Sequence, residues 1–487
     1  MRYREILVTG ASFLVLVLIV LVLHEFTYRA PEADAIPAFA RKYDMKCNVC
    51  HVPGFPKLND FGNLFRDRGY QMGSDADLPT YEGITMGFWP VSFRTTVGYQ
   101  LASVRTDGSG ISTGGFGFTG LDILSFGTLT RDVAFGVVYT PGLGSAGFGT
   151  GASDSDLESS FVRLMRLEKY LGITSKPGDY LMNFRIGKFE LDLPFSEKRS
   201  PTLNTPFVMY HYTPGTPYTA TISGTSTSTY ANPNSFALGD NQPGAELAGL
   251  MKTAPTSGFF RYSFTAMSTN TFSGPLSGCP AGQSCTGGRG VNFYGHVTQS
   301  FGGYGIVSGH RIGLFGVYGD APTTVNATCP TCQAVGGSGQ PFSNIGVDLS
   351  TTFNGEWNLF GAFVHGNSSK NLFVSQGIAG AQNASWNGGF VELDYYPTLL
   401  PFLNVPDWFF AYRYDIIRND RQGDPTFNHN YNNVDSQTFL VRYFLHQSTR
   451  TDLALHAEYN TYRTKGVGTG GGDLLGQTML VGLDFAY

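Results

Sequence analysis

Strict alternation of apolar and polar side chains, repeated in segment after segment, constrains the fold of this chain more than any other feature. In the last nine residues one face carries Met479, Val481, Leu483, Phe485 and Tyr487, and the other carries Leu480, Gly482, Asp484 and Ala486. Before them, Leu453, Leu455, Ala457 and Tyr459 alternate with His456, Glu458 and Asn460. Trp408, Phe410, Tyr412, Tyr414 and Ile416 alternate with Arg413 and Asp415, and Val391, Leu393 and Tyr395 with Glu392 and Asp394. Successive side chains of a strand point to opposite faces, so period two reads as strand. A soluble sandwich buries its greasy face, whereas a membrane barrel turns it to lipid. Periodicity alone does not separate the two.

Connection lengths favour the barrel. From about Val91 onward the pattern divides into roughly sixteen strands, each about nine to eleven residues or longer, the length a tilted membrane strand requires. Short connections fall at Arg131-Asp132, Ala254 to Gly258, Gly302-Gly303, Asn354-Gly355 and Thr449-Arg450. Long ones fall between them, at Pro141 to Asp156, Asp192 to Gln242, Thr271 to Gly288, Asp320 to Pro341, Gly366 to Ser385 and Asn419 to Asp435. Short turns at one end and long loops at the other mark outer-membrane barrels. Composition agrees. The chain has 63 Gly, 39 Phe and 26 Tyr, and its charged fraction of 14% lies well below the roughly 25% of ordinary soluble domains. A net charge of −5 gives no reason to expect a nucleic-acid partner. Phe485-Ala486-Tyr487 ends the chain as an aromatic last strand. The expected fold is all-β, a porin-like antiparallel outer-membrane barrel over 81–487. With an even strand number, both barrel ends lie on the short-turn, periplasmic side, and the long loops are extracellular.

The N-terminus is of another kind. Arg2 and Arg4 precede the apolar run Ile6 to Leu23, and Ala33-Asp34-Ala35 supplies a small-x-small cleavage pattern. Residues 1–35 read as a signal peptide, with an uncleaved anchor as the alternative reading of so long a run. Cys47-Asn48-Val49-Cys50-His51 then has the C-x-x-C-H spacing of covalent haem attachment. Two thiols three residues apart each bond one vinyl group, and the adjacent histidine reaches the iron. A zinc site would want two further Cys or His ligands nearby, and none lies between His51 and residue 100. Residues 36–80 are therefore expected to be a small helical haem c domain. Leu58, Phe61, Leu64 and Phe65 share one apolar face at helical spacing. So short a chain barely folds alone, so the lumen is expected to receive it as a plug. Cys279, Cys285, Cys329 and Cys332 fall in predicted external loops and read as disulfides whose pairing the sequence leaves open.

Residues 35–70, AIPAFARKYDMKCNVCHVPGFPKLNDFGNLFRDRGY, resemble the cytochrome segment of the outer-membrane monohaem cytochrome–porin fusions of iron-oxidising bacteria. The shared features are Phe39-Ala40-Arg41 ahead of the motif, Phe55-Pro56-x-Leu58 after it, then Phe61-Gly62 and Gly69-Tyr70. The resemblance implies one haem c on Cys47, Cys50 and His51. It also implies oxidation of extracellular Fe(II), with the electron passed to a periplasmic cytochrome or cupredoxin. The same conduit run outward, and a diffusion porin with a haem plug, are the rival functions. The lumen-facing carboxylates Glu392, Asp394 and Glu458 are candidates for attracting Fe(II), though charged side chains in a wet lumen are generic. The second axial ligand is open among Met45, Met72, Met86 and a lumen histidine such as His456. Met72 is favoured because it follows the Phe61–Phe65 helix, where the chain can return across the haem.

Overall fold

The computed structural model describes residues 38–43, 45–52, 56–72, 91–106, 109–141, 156–218, 230, 234, 236–254, 258–268, 291–303, 309–320, 341–374, 376–397, 408–447, 451–468 and 470–487. The expected signal peptide, Met86 and the four loop cysteines lie outside these residues.

Sixteen antiparallel strands close into one barrel, each paired with its sequence neighbours and the last with the first. They are β1 (Val91–Thr106), β2 (Ser109–Thr130), β3 (Val133–Thr140), β4 (Asp156–Leu164), β5 (Tyr180–Phe189), β6 (Gln242–Ala254), β7 (Gly258–Ser268) and β8 (Val291–Phe301). Then come β9 (His310–Asp320), β10 (Pro341–Phe353), β11 (Trp357–Ser368), β12 (Ala384–Tyr395), β13 (Trp408–Arg421), β14 (Val434–Gln447), β15 (Asp452–Thr464) and β16 (Leu474–Ala486). The alternation of connection lengths is real but not strict. At the short-turn end, 131–132, 255–257 and 354–356 are tight, whereas 165–179 and 396–407 are long. At the long-loop end, 107–108 joins β1 to β2 directly. The β1–β2 ladder runs as far as Thr106 opposite Ser109.

The orientation of the greasy faces decides between sandwich and membrane barrel. On β12 Val391 is 55% exposed while its neighbours Glu392 and Asp394 are buried. Ile312 and Leu314 on β9, and Ile345, Val347 and Leu349 on β10, are all exposed. Apolar side chains thus form the outer surface and polar ones the interior, the arrangement stable only in lipid. Near the short-turn end the outward rings of Trp357, Tyr395, Phe410, Trp408 and Tyr443 form a continuous aromatic row, with successive centroids 4.0, 6.2, 5.7 and 4.9 Å apart. Such girdles sit where hydrocarbon meets water. The chain is a porin-like β-barrel of the outer-membrane type.

The closing seam depends on two facing glycines. Gly98 of β1 lies opposite Gly482 of β16. A Cβ on Gly98 would fall 2.4 Å from the Val481 carbonyl oxygen, and one on Gly482 would fall 2.4 Å from that of Val97. Gly98→Val should therefore strain the seam by about 1–3 kcal/mol. It should lower the temperature at which the folded band is lost on a denaturing gel. Gly120→Val, where a side chain meets nothing, should not; equal temperatures for the two variants would contradict the seam.

Candidate functional site

The Cys-x-x-Cys-His segment forms a tight turn that is stapled to the helix following it. A 3-10 turn spans Cys47–Val49, and the His51 amide donates to the Cys47 carbonyl at 2.9 Å. Helix α1 (Ala38–Tyr43) precedes this turn and α2 (Asp60–Asp67) follows it. Asn59 caps α2 by accepting from the Gly62 amide at 2.9 Å, a common N-cap interaction. Its amide group also donates to the carbonyl of Val49 at 3.0 Å, and reaches those of Asn48 and His51. One side chain thus ties the motif to its helix. Gly62 permits the contact, since a Cβ there would lie 2.0 Å from the Cys50 carbonyl oxygen. Gly69 ends the segment at φ +74°, with Met165 of the barrel against it.

The histidine is held in one tautomer. His51 Nδ1 lies 3.1 Å from the Pro56 carbonyl oxygen. A carbonyl only accepts, so Nδ1 carries the proton and Nε2 the lone pair, the tautomer a metal-bound imidazole needs. Burial pushes its pKa down to about 4, against the opposing pull of the Pro56 and Lys57 carbonyls, so the ring is neutral at ordinary pH. Burial likewise pushes the Cys50 thiol up to about 11. These groups fit a c-type haem: two cysteines at attachment spacing and an imidazole that is neutral, oriented and backed by a carbonyl.

This segment is docked inside the short-turn end of the barrel. Lys57 forms a buried ion pair with Asp394 of β12, donates to Asn358 of β11 at 3.1 Å, and stands 3.9 Å from the Phe360 ring centroid. Arg261 of β7 donates to Asp67 at 2.6 Å, and Gln71 donates to the Arg131 carbonyl at 2.8 Å. Val52 joins an apolar cluster with Tyr396, Phe409, Leu440 and Ala454, while Leu64 packs against Met165, Tyr180 and Leu250. Burial by itself would raise the Asp67 carboxyl, but the Arg261 and Arg66 guanidiniums overcome this and hold it well below the usual carboxylate range. Its contribution to docking is complete above the unfolded value of ~3.9. It is lost only as pH falls through the lower folded value, so the plug stays seated in mildly acid water.

A second segment enters from the long-loop end. The described part of the connection 190–241 crosses the lumen to β12–β15, carrying the short helix α3 (Val208–His211). The Leu203 amide donates to Glu458 at 2.7 Å, the Val208 amide to Asp415 at 3.2 Å, and Arg413 to the Thr205 carbonyl at 2.8 Å. Phe207 stacks near Phe390 at 4.3 Å, and Phe195 near Phe360 at 4.6 Å. At its root, buried His296 stands between Asp192 and Asp348. Where plug and connection meet, a cavity of about 60 Å³ is lined by Lys57, Arg66, Phe195, Arg199, Arg311 and Glu392.

The structure brings Cys47, Cys50 and His51 into one turn. Met72 lies elsewhere, packed against Phe65, Tyr70 and Ala134 of β3. The expected apolar face of the helix divides: Phe65 meets Phe39 at 4.9 Å, Leu64 faces the barrel wall, and Phe61 is exposed. Glu392, Asp394 and Glu458 are buried. Asp394 and Glu458 fasten the plug and the inward connection rather than lining an open funnel for Fe(II). Sequence reasoning missed Lys57, Asn59, Arg261 and Arg413. Asn59 had a readable signal, an N-cap residue placed just before a helical apolar pattern. The others act on partners hundreds of residues away.

No family model and no curated protein matches the chain. Among solved structures, the anion-selective porin from Comamonas acidovorans aligns at 15% identity over 82% of this chain and 99% of that one, with a TM-score of 0.44. The outer membrane channel DcaP of Acinetobacter baumannii aligns at 10% over 80% and 96%, with a TM-score of 0.43. OprB of Pseudomonas putida aligns at 10% over 84% and 96%, with a TM-score of 0.46. Likeness at this level leaves function to the chain's own residues.

Lys57→Met strands the buried Asp394 carboxylate, a loss of about 3–5 kcal/mol. It should raise proteolytic cleavage of the plug by roughly 100-fold or more while the barrel keeps its heat resistance. Adding Asp394→Leu should recover most of the protection, because removing both partners is far cheaper than removing one. A single variant as resistant as the parent would contradict the docking.

Proposed function

We propose that this chain is an outer-membrane electron conduit. A haem c bound through Cys47 and Cys50 and ligated by His51 accepts electrons from extracellular Fe(II) and yields them to a periplasmic cytochrome or cupredoxin. The observation that carries this reading is the position of the haem-attachment turn inside the barrel end, with His51 neutral and held by Pro56. When bound, the haem supplies a one-electron couple, Fe(III) to Fe(II) and back, balancing oxidation of one ferrous ion to ferric. The chain's own residues do the rest. Asn59 and Gly62 fix the attachment turn, Lys57 and Asp67 seat it in the barrel, and the 190–241 connection packs the lumen above it.

In this reading the short-turn end faces the periplasm, where a carrier docks near the plug, and the long loops face outward. Ferric product precipitates readily outside strong acid, so keeping the ion outside and moving only the electron inward protects the cell. The loop disulfides remain part of the proposal, and the second axial ligand is either Met72 or a lumen histidine. Outward electron export uses the same parts and differs only in the sign of the driving force.

Covalent attachment and donor are tested together. The purified protein should stain for haem on a denaturing gel, and Cys47→Ala with Cys50→Ala should abolish the stain while leaving a heat-modifiable barrel. Rapid mixing of the oxidised protein with Fe(II) should produce the absorbance of reduced haem. Absence of stain in the parent protein would overturn the haem. A stained protein that Fe(II) leaves oxidised would overturn the donor and favour export.

A further inference from the structure

Glu392 of β12 and His456 of β15 lie at one level, between the plug and the inward connection. Along β12, Asp394 holds the plug through Lys57, Phe390 packs on Phe207 of the connection, and Glu392 stands between. The order repeats along β15. Ala454 belongs to the apolar cluster of Val52, next to the haem turn. Glu458 accepts from the Leu203 and Asn204 amides of the connection at 2.7 and 3.3 Å. His456 stands between them. Both carboxylate oxygens of Glu392, Oδ1 of Asp394 and Nδ1 of His456 are buried without a hydrogen-bond partner among the described residues. Arg413 ties the level together, with Nη1 3.6 Å from Glu392 and its backbone contacts on the connection. Buried polar atoms are nearly always satisfied in a folded protein. Glu392 is ion-paired with Arg413 and Asp394 with Lys57, so Nδ1 of His456 is the atom at this level whose partner the described residues do not supply.

His456 identifies what belongs there. It is 1% exposed, and its Nε2 lies 3.2 Å from the Glu458 carboxylate. A carboxylate accepts, so that nitrogen carries the proton and the other carries the lone pair. A carboxylate behind an imidazole is the usual support of a metal-bound histidine, fixing its tautomer and orientation. His51 is held in the same way by the Pro56 carbonyl. Val52, the next residue along, packs in a cluster with residues of β13–β16, whereas Met72 packs at β3.

We propose that His456 is the second axial ligand of the haem, with Glu458 as its orienting carboxylate. This rests on the haem reading above. It makes the iron bis-histidine and gives it a lower potential than His/Met ligation would.

The test is spectroscopic and needs no turnover. The oxidised holoprotein should be low-spin, with the low-temperature magnetic resonance spectrum of bis-imidazole iron and no near-infrared sulfur–iron band. His456→Ala should lose the low-spin signal for a high-spin one, and added imidazole should restore it. His456→Met, which keeps a ligand in place should the alanine variant not fold, should gain the sulfur–iron band. Met72→Ala should leave the spectrum unchanged. A sulfur–iron band in the parent protein, or a His456→Ala spectrum identical to the parent's, would overturn the assignment while leaving the haem itself intact. Failure of the parent protein to stain for haem would instead overturn the functional reading, and this inference with it.

Discussion

Closing sixteen strands encloses a lumen wide enough to be an aqueous channel, and everything else in this molecule follows from how that lumen is filled. The inward faces carry charged and amide side chains, which tolerate water but lose heavily when dried without partners. Two segments dry them, one from each end. The plug brings Lys57 to Asp394 and Asp67 to Arg261. The 190–241 connection brings its backbone amides to Glu458 and Asp415, and its carbonyls to Arg413. Each inserted segment answers wall charges with groups of opposite sign or with hydrogen bonds. The apolar contacts around Phe195, Phe207, Phe360 and Phe390 are packed between these pairings.

The same constraint explains why a very short N-terminal segment suffices as a plug. Among the described residues of 38–72 there are two short helices and a turn, too little chain to enclose a core of their own. Barrel residues supply the missing walls: Met165, Tyr180 and Leu250 against Leu64, and Phe409, Leu440 and Ala454 near Val52. Within this segment the local chemistry is economical. Asn59 closes the Cys47–His51 turn onto α2, Gly62 lets the two backbones touch, and Pro56 supplies the acceptor that orients His51.

Much of the fold was legible in the sequence because strand periodicity is a local code. The first strand begins at Val91 and the last ends beside Tyr487, as the alternation implies, and the sides of Val391, Leu455 and Leu483 follow from period two. What the sequence hid is non-local. Which face of the alternation meets lipid depends on closure of the sheet, not on any one strand. Arg261 and Asp67 lie 194 residues apart, and Lys57 and Asp394 lie 337 apart, so neither pair leaves a mark in local pattern. The run from Asp192 to Gln242 read as an ordinary external loop because its Ser, Thr and Gly content is that of a loop. Its inward fold is carried by Phe195, Phe207 and Tyr210, spaced without period. The 165–179 and 396–407 connections broke the expected length alternation because loop length responds to local packing as well as to the side of the membrane.

Conductance separates a filled barrel from an open one most directly. Holoprotein reconstituted into planar bilayers should show no steady ohmic channel in its native state, because plug and inward connection occupy the lumen together. Release of the plug by Lys57→Met should add at most brief openings. Steady, voltage-independent conductance of porin size in the unmodified holoprotein would contradict the conduit and leave a diffusion pore that happens to carry a haem peptide.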